Sequence, residues 1–492
     1  MMVEKSNRTL RSAEIRAHIG HPIIDCDGHM TEFEPAFLDH LRAVGGNSLA
    51  ERFMSAPDSG FRFPWYAAGQ SDRRANRMIR TPWWAHLSRN ARDRATSALP
   101  KLLRERMPEL GLDYSIVYPS LAFFSLHMAD DELRRVFCRA FNDYNAALFR
   151  EVADRATPVA LIPMHTPGEA LEELEHAVRG LHLKTILMPA FARRPIPALA
   201  SQAPKLARNL AWLDNFCLDS EYDYDPVWAR CVELRVAPTF HSPSFGTGNR
   251  VSISNFTYNH IGHFAYSAEG ICKALFLGGV TRRFPQLKFA FQEGGAGWGC
   301  LLYRDLISHW NTRNPQALEN TNPKNRNDAE LRELFVRYGD GFADRFDRVS
   351  ERSDLIWGRE ENAESIDEFA RCGIRRAEDI RELFIPRFFF GCEGGDRITG
   401  WAFDGRRNPF QARLGAIFGS DLGHFDLPDM TEAVAEAWEL VEEGNLSEVD
   451  LRDFLFLNPL RLHAGVNPDF FKGTAIEGEV KRMLRAGLEP IA

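Results

Sequence analysis

The sequence predicts an α/β protein, a (β/α)8 TIM-like barrel with insertions after strands one and six. Three observations carry this reading. Eight short apolar runs of strand length recur at 23–24, 114–119, 159–163, 184–188, 236–241, 287–291, 388–391 and 416–419. Most are separated by stretches of helical periodicity, and strands that alternate with helices build parallel sheets. Carboxylates and histidines stand just after these runs, which is where a barrel gathers its functional groups. A doubly wound sheet would share the alternation, but neither G-x-G-x-x-G nor G-x-x-x-x-G-K-[ST] occurs in the chain.

Residues 1–20 read as an N-terminal arm or short helix, and HPIIDCDGHMTE (21–32) follows. Ile23 and Ile24 read as the end of a buried strand, after which Asp25, Asp27, His29 and Glu32 crowd together. Gly28 leaves the backbone room to curl. In an extended segment residues two apart share a face, so Asp27 and His29 point together. A carboxylate and an imidazole aimed at one point suit a divalent metal. The alternatives are Asp27 as a helix cap and His29 as a buried, hydrogen-bonded ring.

Residues 35–44 fit a helix. Residues 45–90 form an irregular excursion carrying Phe61, Phe63, Trp65, Tyr66, Trp83 and Trp84. It reads either as a surface loop packed on itself or as a lid, since long loops often carry function. Helices are expected over 98–110 (closed by Gly111), 132–153, 167–179, 224–234 and 268–284. The run 236–241 ends on His241, 287–291 leads into Glu293, 388–391 into Glu393, and 416–419 into Asp421. Residues 311–382 are dense in charge and interrupt the alternation, as a solvated helical insertion, an interface or a site wall. Helices at 431–443 and 449–457 precede the end of the chain. The expected plan is an arm at 1–20, one barrel at 21–462 with insertions at about 45–90 and 311–382, and a helical tail at 463–492.

Bulk properties narrow the classes. A formal net charge of −8 over 492 residues argues against a nucleic-acid binder. No run reaches the length of a membrane span, and the N-terminus lacks the apolar core of a secretory signal. The 8 cysteines are scattered without a C-x-x-C pair, so thiols in a reducing cytoplasm are expected rather than a disulfide framework.

Several motifs then line up in one order: IIDCDGHMTEFEP (23–35), MPELGLDYSIVYPS (107–120), FCRAFNDYN (137–145), YDPVWARCVELRVAPTFHS (224–242), GGVTRRFPQLKFAFQEGGAGW (278–298), FGSDLGHFD (418–426) and FLNPLRL (456–462). Together they resemble the amidohydrolase-related family. This branch of the amidohydrolase superfamily includes aminocarboxymuconate-semialdehyde decarboxylase and resorcylate-type decarboxylases. The resemblance implies a (β/α)8 barrel holding a divalent metal on Asp27, His29, His241 and Asp421. Spacing had already placed all four at strand ends.

Two departures from the family pattern matter. The first strand carries D-x-H where H-x-H is common, which adds negative charge and draws manganese or iron into contention with zinc. The sixth strand ends on Glu293, where the decarboxylase members carry the histidine that moves protons. Glu293 is then an acid–base group or a ligand. With Glu32, His263, Glu393 and His424 also at hand, one or two ions per chain are expected, Glu32 and His263 being candidate ligands of the second. The structural alternatives are Glu32 as a helix cap, His263 as a packed ring, and His424 with Asp426 as a pair that orients a ligand.

The expected activity is hydrolysis of an amide, ester, thioester or lactone with an apolar or ring-containing body, through metal-activated water. Asp421 would be ligand and base, assisted by Glu293 or His263. The alternative is nonoxidative decarboxylation of an aromatic or unsaturated acid. A barrel that has lost catalysis is disfavoured by the joint presence of the four metal residues. Arg62, Arg73, Arg74 and Arg250 are candidate binders of a small carboxylic substrate. No nucleic acid or membrane partner is expected, and the chain is expected as a homo-oligomer, in dimeric form.

Overall fold

The computed structural model describes residues 11–56, 61–82, 90–202, 210–244, 246–350, 353–359, 366–488 and 491. The first ten residues of the expected arm, Trp83 and Trp84 lie outside the described residues. The strands in chain order are β1 Ile24–Met30, β2 Tyr114–Pro119, β3 Ala156–Leu161, β4 Thr185–Met188, β5 Ala192–Pro195, β6 Ala211–Asp214, β7 Pro238–Phe240, β8 Phe289–Phe291, β9 Phe388–Glu393 and β10 Gly415–Gly419.

Eight of these pair in the order β1-β2-β3-β4-β7-β8-β9-β10. Every pairing is parallel. The first and last strands meet through two backbone bonds, from Asp421 N–H to the Asp27 carbonyl (2.9 Å) and from His29 N–H to the Leu422 carbonyl (2.8 Å). The expected (β/α)8 barrel is therefore the observed one. Its strands are apolar along most of their length because helices cover the outer face while side chains fill the inner one. β2, β3 and β10 are buried at every residue. Inside the barrel, Gln292 donates from Nε2 to the Cys26 carbonyl (3.0 Å) and the Tyr118 hydroxyl (2.9 Å), spanning three strands.

Several local expectations are corrected. The strand read as ending at Ile24 instead starts there and carries the whole polar run to Met30. The helix expected over 35–44 continues as Glu34–Ser55, kinked at Gly46 (φ 78°), so the excursion begins helical rather than irregular. The helix expected over 268–284 is two, His263–Leu277 and Val280–Arg283. Between them Gly279 sits at φ 77°, a region an L-residue rarely adopts. The antiparallel pair β5–β6 was not anticipated. It lies outside the barrel sheet and is braced by a buried bond from Arg194 Nε to Asp214 Oδ2 (2.9 Å).

The described part of the aromatic excursion docks on the β7–β8 connection. Trp65 Nε1 donates to the Ile253 carbonyl (2.9 Å), and Arg80 N–H donates to the Ser252 carbonyl (3.0 Å). Between β8 and β9, the helix Asp328–Tyr338 and the 3-10 segment Asp340–Arg348 pack through Phe335 and Phe346, whose ring centroids are 4.8 Å apart. No described helix is long and apolar enough to cross a membrane.

Candidate metal centre

The centre is built from the local chemistry of β1. The register against β2 slips between Asp25 and Gly28, so one extra residue bulges from the strand. Bulges re-aim side chains. Asp25, wholly buried, holds the bulge in place. It accepts from Ser115 Oγ (2.7 Å), Ser420 Oγ (2.8 Å), Ser420 N–H (2.9 Å) and Asp27 N–H (3.1 Å). Gly28 is needed for space rather than for curl, because a Cβ there would stand 2.6 Å from Asp25 Oδ2. With Asp25 turned to the neighbouring strands, Asp27 and His29 face the barrel mouth.

Three further exits complete the site. His241 follows β7 directly, Glu293 lies two residues past β8, and Asp421 two past β10. Glu293 (φ 55°) and Asp421 (φ 49°) are both left-handed non-glycine residues. Such strained positions persist where the surroundings over-determine them, and they cluster at functional sites.

The side chains converge closely. His29 Nε2 is 3.5 Å from Asp27 Oδ1, 3.4 Å from Asp421 Oδ1 and 3.9 Å from Glu293 Oε2. His241 Nε2 is 3.1 Å from Glu293 Oε2 and 3.7 Å from Asp27 Oδ1. His424 Nδ1 lies 2.5 Å from Asp421 Oδ1, and its Nε2 is 3.2 Å from Ser120 Oγ. The His29 and His424 rings stack at 3.7 Å, and Phe123 and Phe264 wall the His241 ring at 5.4 and 4.6 Å.

This donor set fits a divalent cation. Asp27 Oδ1, Glu293 Oε2 and both ring nitrogens of His241 are buried without a hydrogen bond. Burial pushes the Asp27, Glu293 and Asp421 carboxyls well above the usual range, and Glu293 adds repulsion at the other two. Burial pushes the His241 imidazole down, which keeps it neutral with a lone pair to give. Buried carboxylates that repel one another, beside neutral imidazoles, are relieved by a cation of mixed oxygen and nitrogen preference. Among the described residues, three groupings have donor atoms within 4.8 Å of one another: Asp27–His29–His241–Glu293, His29–Glu293–Asp421–His424, and Glu293–Glu393–Asp426. Glu293 belongs to all three.

The remaining candidates stand as follows. Glu32 lies outside the three groupings, and its Oε1 accepts from the Leu121 and Ala122 N–H groups (2.9 and 2.8 Å) at the exit of β2. Burial raises its carboxyl to about 7. His263, buried, packs on Phe264 (4.0 Å) and His260 (4.8 Å) and lines a cavity with Glu293 and Glu393. Arg62 donates to the Met54 carbonyl (2.6 Å) and Arg250 to the Gly262 carbonyl (3.1 Å). Arg73 lies 3.7 Å from the Trp65 ring, and Arg74 is exposed. Sequence reasoning passed over Ser115, Ser420, Gln292 and Ser120. Their only signal was proximity to strand ends, since serine and glutamine are common everywhere.

A model of the amidohydrolase family matches residues 24–315. No curated protein matches the chain. Among solved structures, an amidohydrolase from Mycobacterium avium subsp. paratuberculosis K-10 is 17% identical, with 90% of this chain and 99% of that one covered at a TM-score of 0.52. A 2,6-dihydroxybenzoate decarboxylase from Rhizobium is 15% identical, covering 90% and 98%, at 0.44. A 5-carboxyvanillate decarboxylase from Novosphingobium aromaticivorans, complexed with manganese and 4-hydroxy-3-methoxy-5-nitrobenzoic acid, is 12% identical, covering 90% and 96%, at 0.48. With the matched segment running from the first barrel strand to past the sixth, the chain belongs to the amidohydrolase family.

Proposed function

We propose that the protein is a metal-dependent hydrolase of a carboxylic derivative: an amide, ester, thioester or lactone. The observation that supports this best is the position of Glu293, 3.1 Å from His241 and shared by all three donor groupings. A decarboxylase would need here an acid that delivers a proton to carbon. A carboxyl beside a divalent cation is held ionised and carries no proton of its own to donate near neutral pH, so Glu293 suits ligation better than the role of resting acid. Asp27, His29, His241, Glu293 and Asp421 would hold the ion. When bound, it supplies a Lewis acid that polarises a carbonyl and acidifies water.

The chain's own groups then handle the proton. Asp421 accepts it from the attacking water, and His424 Nδ1, 2.5 Å away, shares it. Ser120 Oγ engages the opposite nitrogen of that ring and fixes its orientation. The same pair returns the proton to the departing heteroatom when the tetrahedral species collapses. Phe123 and Phe264 offer an apolar wall beside His241 for the body of the substrate.

The test is turnover of a small panel of esters, thioesters, lactones and amides by protein loaded with manganese, zinc or iron. Wild type should hydrolyse at least one member, and Glu293→Gln should lose that activity. If loaded wild type hydrolyses none and instead releases carbon dioxide from an aromatic acid, the hydrolase reading is wrong and decarboxylation replaces it.

A further inference from the structure

A cavity of about 250 Å³ lies beside the candidate metal centre, between the exits of β8 and β9 and the start of the helix His263–Leu277. Its wall includes His260, His263, Phe264, Glu293, Glu393 and Asp396 and, among the described residues, no lysine or arginine. Glu293 belongs to the centre as well, where its Oε2 lies 3.1 Å from His241 Nε2. Glu393 and Asp396 are left over, and among the described residues neither forms an ion pair with a lysine or arginine. The adjacent Arg397 turns instead to Glu443, with Nε 2.6 Å from Oε2.

Acidic groups near solvent are usually just hydrated, so the two carboxylates alone say little. The decisive observation is His263. It is 2% exposed, it lines this cavity, and both its ring nitrogens lack a hydrogen-bond partner. A buried imidazole in that state carries a desolvation cost that a ligand donating to it would relieve. The spread of charge then indicates what kind of ligand. Among the described residues, Asp396 does not join Glu293 and Glu393 in a grouping tight enough to hold one ion. It stands against Gly295 (φ 68°), where a Cβ would come within 2.7 Å of Asp396 Oδ2. Dispersed carboxylates, an imidazole acceptor and a phenyl wall suit a group whose N–H bonds point several ways. An ammonium has three such donors and is attracted to ring faces, whereas a metal ion wants its oxygens converged.

We propose that this cavity seats an organic ammonium group, so that the substrate is an amine-bearing carbonyl compound such as an α- or β-aminoacyl ester or amide. Glu393 and Asp396 balance the charge with charge-assisted hydrogen bonds. His263 accepts one N–H, and Phe264 covers the carbon chain. Because Glu293 borders both the cavity and the centre, the amine sits within a few bonds of the scissile carbonyl. The proposal rests on the hydrolase reading and narrows its substrate. Water adds across the acyl C–O or C–N bond as described above, and the ammonium is held without reacting.

The experiment compares β-alanine hydroxamate with propionohydroxamate on the full chain loaded with manganese, by isothermal titration calorimetry at neutral pH. The two share a metal-seeking head and differ only in the amine, and neither has to be hydrolysed. Wild type should bind the amino compound at least about tenfold more tightly. Asp396→Asn, Glu393→Gln and His263→Phe should each cut that preference to about threefold or less. If one variant fails to fold, the others answer the same question. Equal binding of the two compounds by wild type overturns the ammonium seat and leaves the hydrolase reading standing. A preference that survives in both Asp396→Asn and Glu393→Gln also overturns it, because the amine then sits elsewhere. No binding of either compound overturns the seat together with the metal centre beside it. A preference lost in the variants, in a protein that hydrolyses no member of the ester and amide panel, upholds the seat and refutes the hydrolase reading.

Discussion

Replacing Gly28 with alanine should unseat the strand that carries Asp27 and His29. The added Cβ would stand 2.6 Å from Asp25 Oδ2 and 2.7 Å from Ser115 Oγ. Neither atom can swing into solvent, because Asp25 and Ser115 are both 0% exposed. Something in the network must therefore break. Asp25 accepts four hydrogen bonds, and displacing its carboxylate forfeits at least those from Ser115 and Ser420 Oγ. At about 1–3 kcal/mol for each of the two bonds lost with a buried partner left behind, the change costs roughly 2–6 kcal/mol. Gly478→Ala is the control: its Cβ meets nothing within 4 Å, and it lies in the helix Glu477–Ala486, where alanine is favoured. Urea unfolding of the metal-free proteins, followed by tryptophan fluorescence, should lower the midpoint for Gly28→Ala alone. The bulge also aims Asp27, so manganese affinity should fall by about 10–100-fold, as when a group that orients a ligand is removed. A Gly28→Ala protein with the midpoint and affinity of the control would refute the reasoning.

His241→Ala should reduce bound metal well below that of wild type, with activity falling in parallel; full occupancy with unchanged turnover would count against the ligand set. Glu32→Gln tests the buried carboxyl at the exit of β2. Its folded value near about 7 lies above the ordinary 4.5, so its share of stability is complete below 4.5 and lost as pH rises through 7. The glutamine variant has no such loss, so its melting temperature should gain on wild type across that interval, and a pH-independent difference would reject the assignment. Arg134→Met removes a wholly buried guanidinium that donates to Glu169 Oε2 (2.9 Å) and the Met128 carbonyl (2.7 Å). The stranded Glu169 should make this cost about 3–5 kcal/mol, and adding Glu169→Gln should recover part of it in a denaturation series.

The barrel was legible in the sequence because parallel strands covered on both faces must be short, unbroken apolar runs, and such runs can be counted without knowing their partners. The strand-end positions of His241, Glu293, Glu393 and Asp421 followed from the same count, because a (β/α)8 topology sends every strand exit to one face, whereas Asp27 and His29 lie inside β1. Helix ends were less legible. Gly111 stops its helix as read, at φ 73°, yet the chain runs on through Gly46 in a kinked helix, because apolar contacts of Leu49, Ala50 and Phe53 on the far side repay the break.

Only the tertiary structure decided which side chains meet. Asp25 and Asp27 are two apart on one strand and by simple alternation would share a face. The bulge separates them, sending one to a structural hydrogen-bond network and the other to the centre. The pairing of Asp421 with His424, and the common position of Glu293 in three groupings, depend on left-handed backbone turns and on closure between the first and last strands. Both are set by contacts hundreds of residues apart. Periodicity reports how each segment meets the core, and carries no information about which distant segment it meets there.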